Sequence, residues 1–147
     1  LFLADSRRGL KGWPRVALKM NGAELAAMLD RPTAPEVEEI QKAAVELARE
    51  AGRPVFVTLS ERGIVAADPK GESVHVPTLP LRGPIDVVGA GDAVTANLIA
   101  ALAAGASLRE AVELAIVASS VVVHQLGATG VATVFDLAAL LDKVPPS

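Results

Sequence analysis

The chain has 147 residues, of which 51% are hydrophobic and 21% are charged, a balance typical of a globular protein rather than a disordered one. Its net charge of −3, without a basic stripe, argues against nucleic acid as a partner. The absence of cysteine excludes a disulfide framework and a thiolate metal site, and it agrees with a cytoplasmic location.

The chain opens with LFLAD, which reads as a short strand and lacks the charged region and cleavage site of a secretory signal peptide. Because there is no initiator methionine, we expect a fragment of a longer protein. The longest uncharged stretch runs from 93 to 108, shorter than the roughly 20 residues that a membrane-spanning helix needs. We therefore expect a buried helix there and no contact with a membrane.

The first part of the chain alternates strands with helices. Strands are predicted at residues 1–5 and 16–20. Asn21 and Glu24 then stand three residues apart at the start of NGAELAAML, a spacing typical of a capping box at a helix N-terminus.

A second helix is predicted to begin at another such box, from Thr33 to Glu36, and to end at Gly52. PVFVTL then reads as a buried parallel strand, and IVAAD and ESVHV around PKG read as a hairpin.

Helices dominate the rest of the chain. Two follow the segment DVVGAGDAV, and the second begins at a capping box formed by Ser107 and Glu110. TVFDLAALLDKV reads as a last amphipathic helix. The whole pattern predicts a single domain over residues 1–147 with an α/β layered fold and a largely parallel sheet.

The segment DVVGAGDAV places a glycine turn, Gly89, Ala90 and Gly91, directly before Asp92 at a helix start. Unpaired N–H groups and the helix dipole suit such a turn to phosphate, and glycine lets the phosphate approach closely. Asp92 could then accept the proton of a hydroxyl that attacks phosphorus. Alternatively, Asp92 only complements the dipole of its own helix. A P-loop is absent, and Val94 replaces the third glycine of a dinucleotide fingerprint.

These motifs resemble those of the ribokinase-like, or PfkB-type, carbohydrate kinases. Residues 86–92, DVVGAGD, match the family signature D-[TV]-x-G-A-G-D. LKMNGAEL resembles the N-x-x-E segment, and VTLSERG resembles T-L-G-x-x-G with Ser60 in place of the middle glycine. AIVASSVVVHQLGATG resembles the small-residue helix and G-A loop near the family's C-terminus, and its VVVHQLG run is similar to the heptose 7-phosphate kinase branch.

The resemblance covers roughly residues 1–143 and implies ATP-dependent phosphorylation of a sugar or sugar-phosphate hydroxyl on a ribokinase-like layered fold. Asp92 would be the general base, and the turn from Gly89 to Gly91 would be the anion hole for the γ-phosphate. Asn21 and Glu24 would hold Mg²⁺ through water. The residues implied along the nucleotide are Asn21, Thr58, Ser60, Gly63, Ala115, Ser119 and Gly127.

A monovalent cation such as K⁺ is also implied beside the anion hole, where Asp86, Val88 and the 127–130 loop match the family. Each of these roles has a structural alternative. Asn21 and Glu24 make a good helix cap, Thr58 is an ordinary strand residue, and Ala115 and Ser119 are small residues suited to helix packing. Neither His75, expected in solvent on the outer face of the hairpin, nor His124, at a helix end, is expected to bind metal.

The resemblance covers only the C-terminal half of a normal family kinase, and the sugar is bound by the N-terminal half. We therefore expect this chain alone to be an incomplete enzyme whose partner is the missing half. The strand at residues 1–5 would expose an edge, which predicts self-association. The alternative is a non-catalytic nucleotide-binding or structural remnant of such a kinase.

Overall fold

The computed structural model describes residues 1–5, 12, 14–32, 36–80 and 83–142. Its strands are β1 (Leu3–Asp5), β2 (Ala17–Asn21), β3 (Val55–Thr58), β4 (Ile64–Ala67) and β5 (Ser73–Val76). Its helices are α1 (Gly22–Met28), α2 (Val37–Ala51), α3 (Ala90–Ala103), α4 (Leu108–Val123) and α5 (Val134–Leu141). This order of elements confirms the predicted α/β class.

The five strands form one sheet in the order β1-β2-β3-β4-β5. β1, β2 and β3 are parallel, whereas β4 and β5 form the predicted antiparallel hairpin. In this register Asp5 lies beside Lys19, and Asn21 lies beside Thr58. The carboxyl ends of the three parallel strands therefore meet at one edge of the sheet.

Helices cover both faces of the sheet because the central strands are apolar on both sides. Val55 and Val57 of β3 pack in a cluster with residues of α1 and α2. Phe56, between them, points to the opposite face and packs in a cluster with residues of α3 and α4. Because Phe56 is fully buried, the core runs through the sheet as three layers.

The predicted helix ends are mostly confirmed. Asn21 caps α1 in a capping box with Glu24, and Ser107 caps α4 in a capping box with Glu110. α2 ends at Gly52, whose φ of 62° is the left-handed conformation that favours glycine.

The start of α2 was predicted too early. Glu36 is its N-cap residue, without a side-chain cap, and Val37 is its first residue. The proposed capping residue Thr33 lies outside the described residues.

The last helix, α5, is mostly exposed. It packs against α4, but Val134 and Phe135 are 80% and 87% exposed. Within the part of the chain that the structure describes, no helix combines the length and apolar character needed to cross a membrane.

The capping box at Ser107 makes the stability of α4 depend on pH. Hydrogen bonds from the Ser107 side chain, and then from its backbone N–H, lower the pKa of Glu110. Thr133 lowers the pKa of Asp136 at the start of α5 in the same way. Since these pKa values are lowered in the folded state, the stabilisation is complete above the unfolded-state pKa and is lost as pH falls through the folded-state pKa.

Glu110→Gln keeps the shape of the capping box but removes its charge. At pH 7 we expect this variant to unfold at a lower urea concentration than the wild type, and at about pH 2, below ordinary carboxyl pKa values, we expect no difference. Urea titrations followed by circular dichroism measure this. Glu50→Gln, in the last turn of α2, is the control and should show no such loss. If Glu110→Gln unfolded at an equally lowered urea concentration at both pH values, the loss would not come from the charge of Glu110, and the pH dependence inferred for α4 would be wrong.

Candidate functional site

A cavity of about 320 Å³ opens at the carboxyl edge of the parallel strands, between the hairpin, α3 and α4. Ligands bind at this edge in open α/β sheets, and the volume lies at the lower end of the range for small-molecule sites. Six residues predicted for the site line the cavity. They are Thr58, Ser60, Gly63, Ala90, Gly91 and Ser119.

A tight turn after β3 forms one wall of this cavity. Ser60 adopts a φ of 53°, the left-handed region, where the resemblance expects a glycine. At Gly63 the φ is 94°, and a Cβ atom would lie 2.0 Å from the carbonyl oxygen of Val76, so no side chain fits. Thr58, at the end of β3, donates its hydroxyl to the Met20 carbonyl over 3.3 Å.

Two hydrogen bonds from residues at and just after the end of β5 hold this turn in place. A ring nitrogen of His75 lies 2.7 Å from the carbonyl oxygen of Arg62, and the Thr78 hydroxyl donates to the carbonyl of Glu61 over 2.7 Å. His75 is therefore half-buried and hydrogen-bonded rather than solvated as predicted, because the turn folds back over it. These bonds fix the position of the cavity wall.

The α4 wall differs from the sequence prediction by one residue. Ser119 lines the cavity as expected, together with its neighbour Ser120. Ala115 does not, because it is fully buried in the core on the sheet side of the helix. Ile116 takes the place expected of Ala115 and gives this wall an apolar surface.

The start of α3 presents backbone donors beside the cavity. Gly89 is the N-cap residue, with a φ of 84° that requires glycine. The Ala90 N–H, one of the donors of the predicted anion hole, donates to the Val87 carbonyl over 3.2 Å. Among the described residues, the N–H groups of Gly89, Gly91 and Asp92 have no acceptor. This helix start can therefore bind an anion with those three groups.

Gly91 is a glycine that the fold does not need. Its φ is not left-handed, and the nearest group to a Cβ at this position would be the Lys19 ammonium, 3.6 Å away. Alanine would fit there and would favour the helix by about 0.5–1 kcal/mol. The space beside Gly91 is therefore available to a ligand.

Asp92 stands directly after this space, in the first turn of α3. Its side chain is exposed, and it makes no hydrogen bond or ion pair with the described residues. A carboxylate without a protein partner is able to accept a proton from a ligand.

Asn21 and Glu24 lie at the end of β2 and form the capping box of α1. The Asn21 side chain accepts from the Glu24 N–H over 2.9 Å, and Glu24 Oε2 accepts from the Asn21 N–H over 2.7 Å. The second carboxylate oxygen of Glu24 has no partner among the described residues. Within the same residues, no cluster of three or more histidine, aspartate or glutamate side chains could hold a metal ion directly.

Asp86 joins two loops beside the start of α3. Its carboxylate accepts from the Val88 N–H over 3.0 Å and from the Gly127 N–H over 3.3 Å. Gln125 closes the second loop with hydrogen bonds to both the N–H and the carbonyl of Val131. The structure therefore places Asp86, Val88 and Gly127 together, although not on the cavity wall.

Sequence reasoning missed three side chains at this edge. Lys19 is buried in β2, and its ammonium lies 2.6 Å from Asp5 Oδ2. Thr95 of α3 donates its hydroxyl to the same oxygen over 3.1 Å. The one signal in the sequence was a lysine within the apolar strand VALKM.

A family model described as pfkB family carbohydrate kinase matches residues 16–133. The bifunctional protein HldE of Halorhodospira halophila is 44% identical over 109 residues, which are 74% of this chain and 22% of that protein. The protein of the same name from Shewanella amazonensis is 38% identical over 125 residues, 84% of this chain and 25% of its own length. The chain thus spans no more than a quarter of the length of these two relatives.

Solved structures share the fold. Ribokinase from Arabidopsis thaliana, complexed with ribose and ATP, matches with a TM-score of 0.76 and 28% identity, over 85% of this chain and 40% of that one. Phosphofructokinase-2 from Escherichia coli, in complex with potassium, matches with a TM-score of 0.75 and 26% identity, over 86% of this chain and 40% of that one.

Proposed function

The chain belongs to the pfkB family of carbohydrate kinases, as its motifs predicted, and from that membership we propose that it supplies the ATP side of a kinase. The reaction is transfer of the γ-phosphoryl group of ATP to a hydroxyl of a sugar or sugar phosphate. The resemblance to heptose 7-phosphate kinases agrees with relatives named bifunctional protein HldE, and it makes a heptose 7-phosphate the expected acceptor.

The proposal rests on the presence of a glycine at position 91, where alanine would fit. A glycine that neither the backbone nor the packing requires costs helix stability. Beside it lie unpaired N–H groups at the positive end of α3. A phosphoryl group in this space would receive those donors, which stabilise the charge of a transferring phosphate.

Asp92 acts as the general base in this proposal. It takes the proton of the acceptor hydroxyl as the new O–P bond forms and the bond from phosphorus to ADP breaks. Its exposed carboxylate supports this role, because it has no partner among the described residues and is able to accept a proton.

The nucleotide lies along the cavity from the anion hole to the apolar wall of α4. Ser60, Gly63 and Ser119 would flank it, and Ile116 would contact the adenine. The oxygens of Asn21 and Glu24 are the hard donors that Mg²⁺ prefers, and binding through water leaves their capping box intact. When bound, Mg²⁺ neutralises charge on the ATP phosphates.

A K⁺ ion is part of the same proposal. The carbonyl oxygens of Val88 and of the 127–130 loop would bind it, with Asp86 holding the two loops together. The potassium complex of the E. coli phosphofructokinase-2 supports such a site.

The sugar would be bound by sequence that this chain does not contain. The relatives are about four times as long as the matched region, which supports a partner segment for the acceptor. We place the reaction in the cytoplasm, where ATP is supplied. β1 lies at the edge of the sheet, as expected, but self-association through that edge stays a prediction.

Gly91→Ala separates folding from phosphate binding. We expect this variant to unfold at the same or a higher temperature, because alanine favours a helix by about 0.5–1 kcal/mol. Affinity for ATP should fall, because the methyl group occupies the phosphate space. Calorimetric titration and thermal unfolding measure the two effects. Ala96→Gly, at an exposed position of α3, is the control that lowers stability without changing affinity. Unchanged ATP affinity of Gly91→Ala would contradict the anion hole.

Asp92→Asn tests the base in the longest natural form of the protein. Turnover should fall by roughly 10²–10⁴-fold, the usual cost of losing a general base, while ATP affinity is retained. Glu110→Gln is the matched control, since Glu110 occupies the same third position of α4 and should affect stability alone. If Asp92→Asn kept more than about a tenth of the turnover, Asp92 would not be the general base. Its carboxylate would then only complement the dipole of α3, as expected of a non-catalytic remnant.

A further inference from the structure

The last helix, α5, is apolar all round except for Asp136, but it packs on one side alone. Its half-buried leucines, Leu137 and Leu140, lie on the side that contacts α4. No residue of the helix is buried. A helix of this composition is normally buried, so its exposure needs an explanation. We call its exposed apolar side chains the outer face of α5, which consists of Val134, Phe135, Ala138, Ala139 and Leu141.

Exposed apolar side chains also precede the helix. Leu126 and Val131 are 54% and 65% exposed, and the hydrogen bonds between Gln125 and Val131 hold their loop in place. Single exposed apolar side chains are ordinary, whereas a contiguous group of them marks a surface that binds another protein or another segment. The outer face of α5 is the centre of such a group.

The half of the kinase that this chain lacks is expected on the other side of the molecule. β1 is an edge strand, and Leu1 and Phe2 beside it are 63% and 76% exposed, so added strands would pair there. α3 packs on β1, whereas α4, against which α5 packs, contacts β4 and β5. Extending the sheet at β1 therefore leaves the outer face of α5 uncovered.

A second copy of the chain fits this face poorly. α5 has eight residues and is about 12 Å long, so a pair of such helices buries far less area than a stable interface between free proteins. Such interfaces bury roughly 1,200–2,000 Å². The charged side chains described at the two ends of the helix, Asp136 and Asp142, are both acidic and would repel those of a second copy. A tethered segment can bind a smaller face, because its effective concentration is high.

The relatives contain sequence that could provide a tethered segment. A match over 85% of this chain covers 40% of the Arabidopsis ribokinase, whereas a match over 84% covers only 25% of the Shewanella amazonensis protein. That protein therefore has much more sequence than one kinase needs, and its name, bifunctional protein, states a second function. In this chain the family match ends at residue 133, directly before α5 begins at Val134. The uncovered helix thus lies at the boundary of the kinase family match.

We propose that the outer face of α5 binds the segment that carries the second function in the longest natural form of the protein. The contacting surface of that segment is apolar, with basic side chains opposite Asp136 and Asp142. Phe135 is the anchor of the contact, because it is 87% exposed and aromatic side chains dominate the binding energy of interfaces. The contact fixes the position of the second function relative to the kinase.

The test introduces a charge into the outer face of the longest natural form, as Phe135→Asp and as Ala138→Asp. Both positions are exposed, so neither change disturbs the core described above. We expect hydrogen–deuterium exchange, followed by mass spectrometry, to become about tenfold faster or more in α5 and in one surface of the second-function segment, as when an interface anchor is lost. Ala138→Asp decides the question if Phe135→Asp does not fold.

Ala27→Asp is the matched control. It makes the same change at an exposed position of α1, on the other face of the sheet, and should leave exchange in the second-function segment at the wild-type rate. Wild-type exchange in that segment of the folded outer-face variants would overturn the inference. So would a longest natural form without such a segment. Light scattering that shows a wild-type dimer and a monomeric Phe135→Asp would also overturn it, because a second copy would then occupy the face.

Discussion

Parallel pairing of β1, β2 and β3 determines where the elements of the site lie. It brings the carboxyl ends of three strands to one edge, so that Asp5, Asn21 and Thr58 lie at the same end of the sheet. The hydrogen bond from Thr95 to Asp5 then fixes α3 over that edge, with its N-terminus beside the cavity. Because of this strand pairing, the backbone N–H groups at the start of α3 lie close to the polar side chains at the carboxyl ends of the strands.

Two kinds of glycine mark the site, and they have different causes. Gly63 and Gly89 have positive φ angles, so the backbone itself requires them. Gly91 has an ordinary helical conformation and room for a methyl group. Only Gly91 points to a ligand, because nothing within the protein explains a glycine at that position. Stability and function are therefore expected to oppose each other at that position and not at the other two.

Local sequence signals predicted most of the fold. The boxes at Asn21 and Ser107 are formed within four residues, so spacing alone revealed them. The pairing of Asp5 with Lys19 could not be read in this way, because it depends on the register of two strands. Likewise, the choice between Ala115 and Ile116 depends on how α4 is rotated against the sheet, which sequence periodicity fixes only to about one residue.

In the proposed reaction, the terminal phosphate of ATP lies at the start of α3. A crystal structure of the longest natural form with Mg²⁺ and AMP-PNP, a non-hydrolysable ATP analogue, would show whether it does. We expect the γ-phosphate within hydrogen-bonding distance of the Gly91 N–H, with Asp92 on the side of the acceptor hydroxyl. A triphosphate bound elsewhere, or turned so that its adenine occupies the space beside Gly91, would rule out this phosphate site.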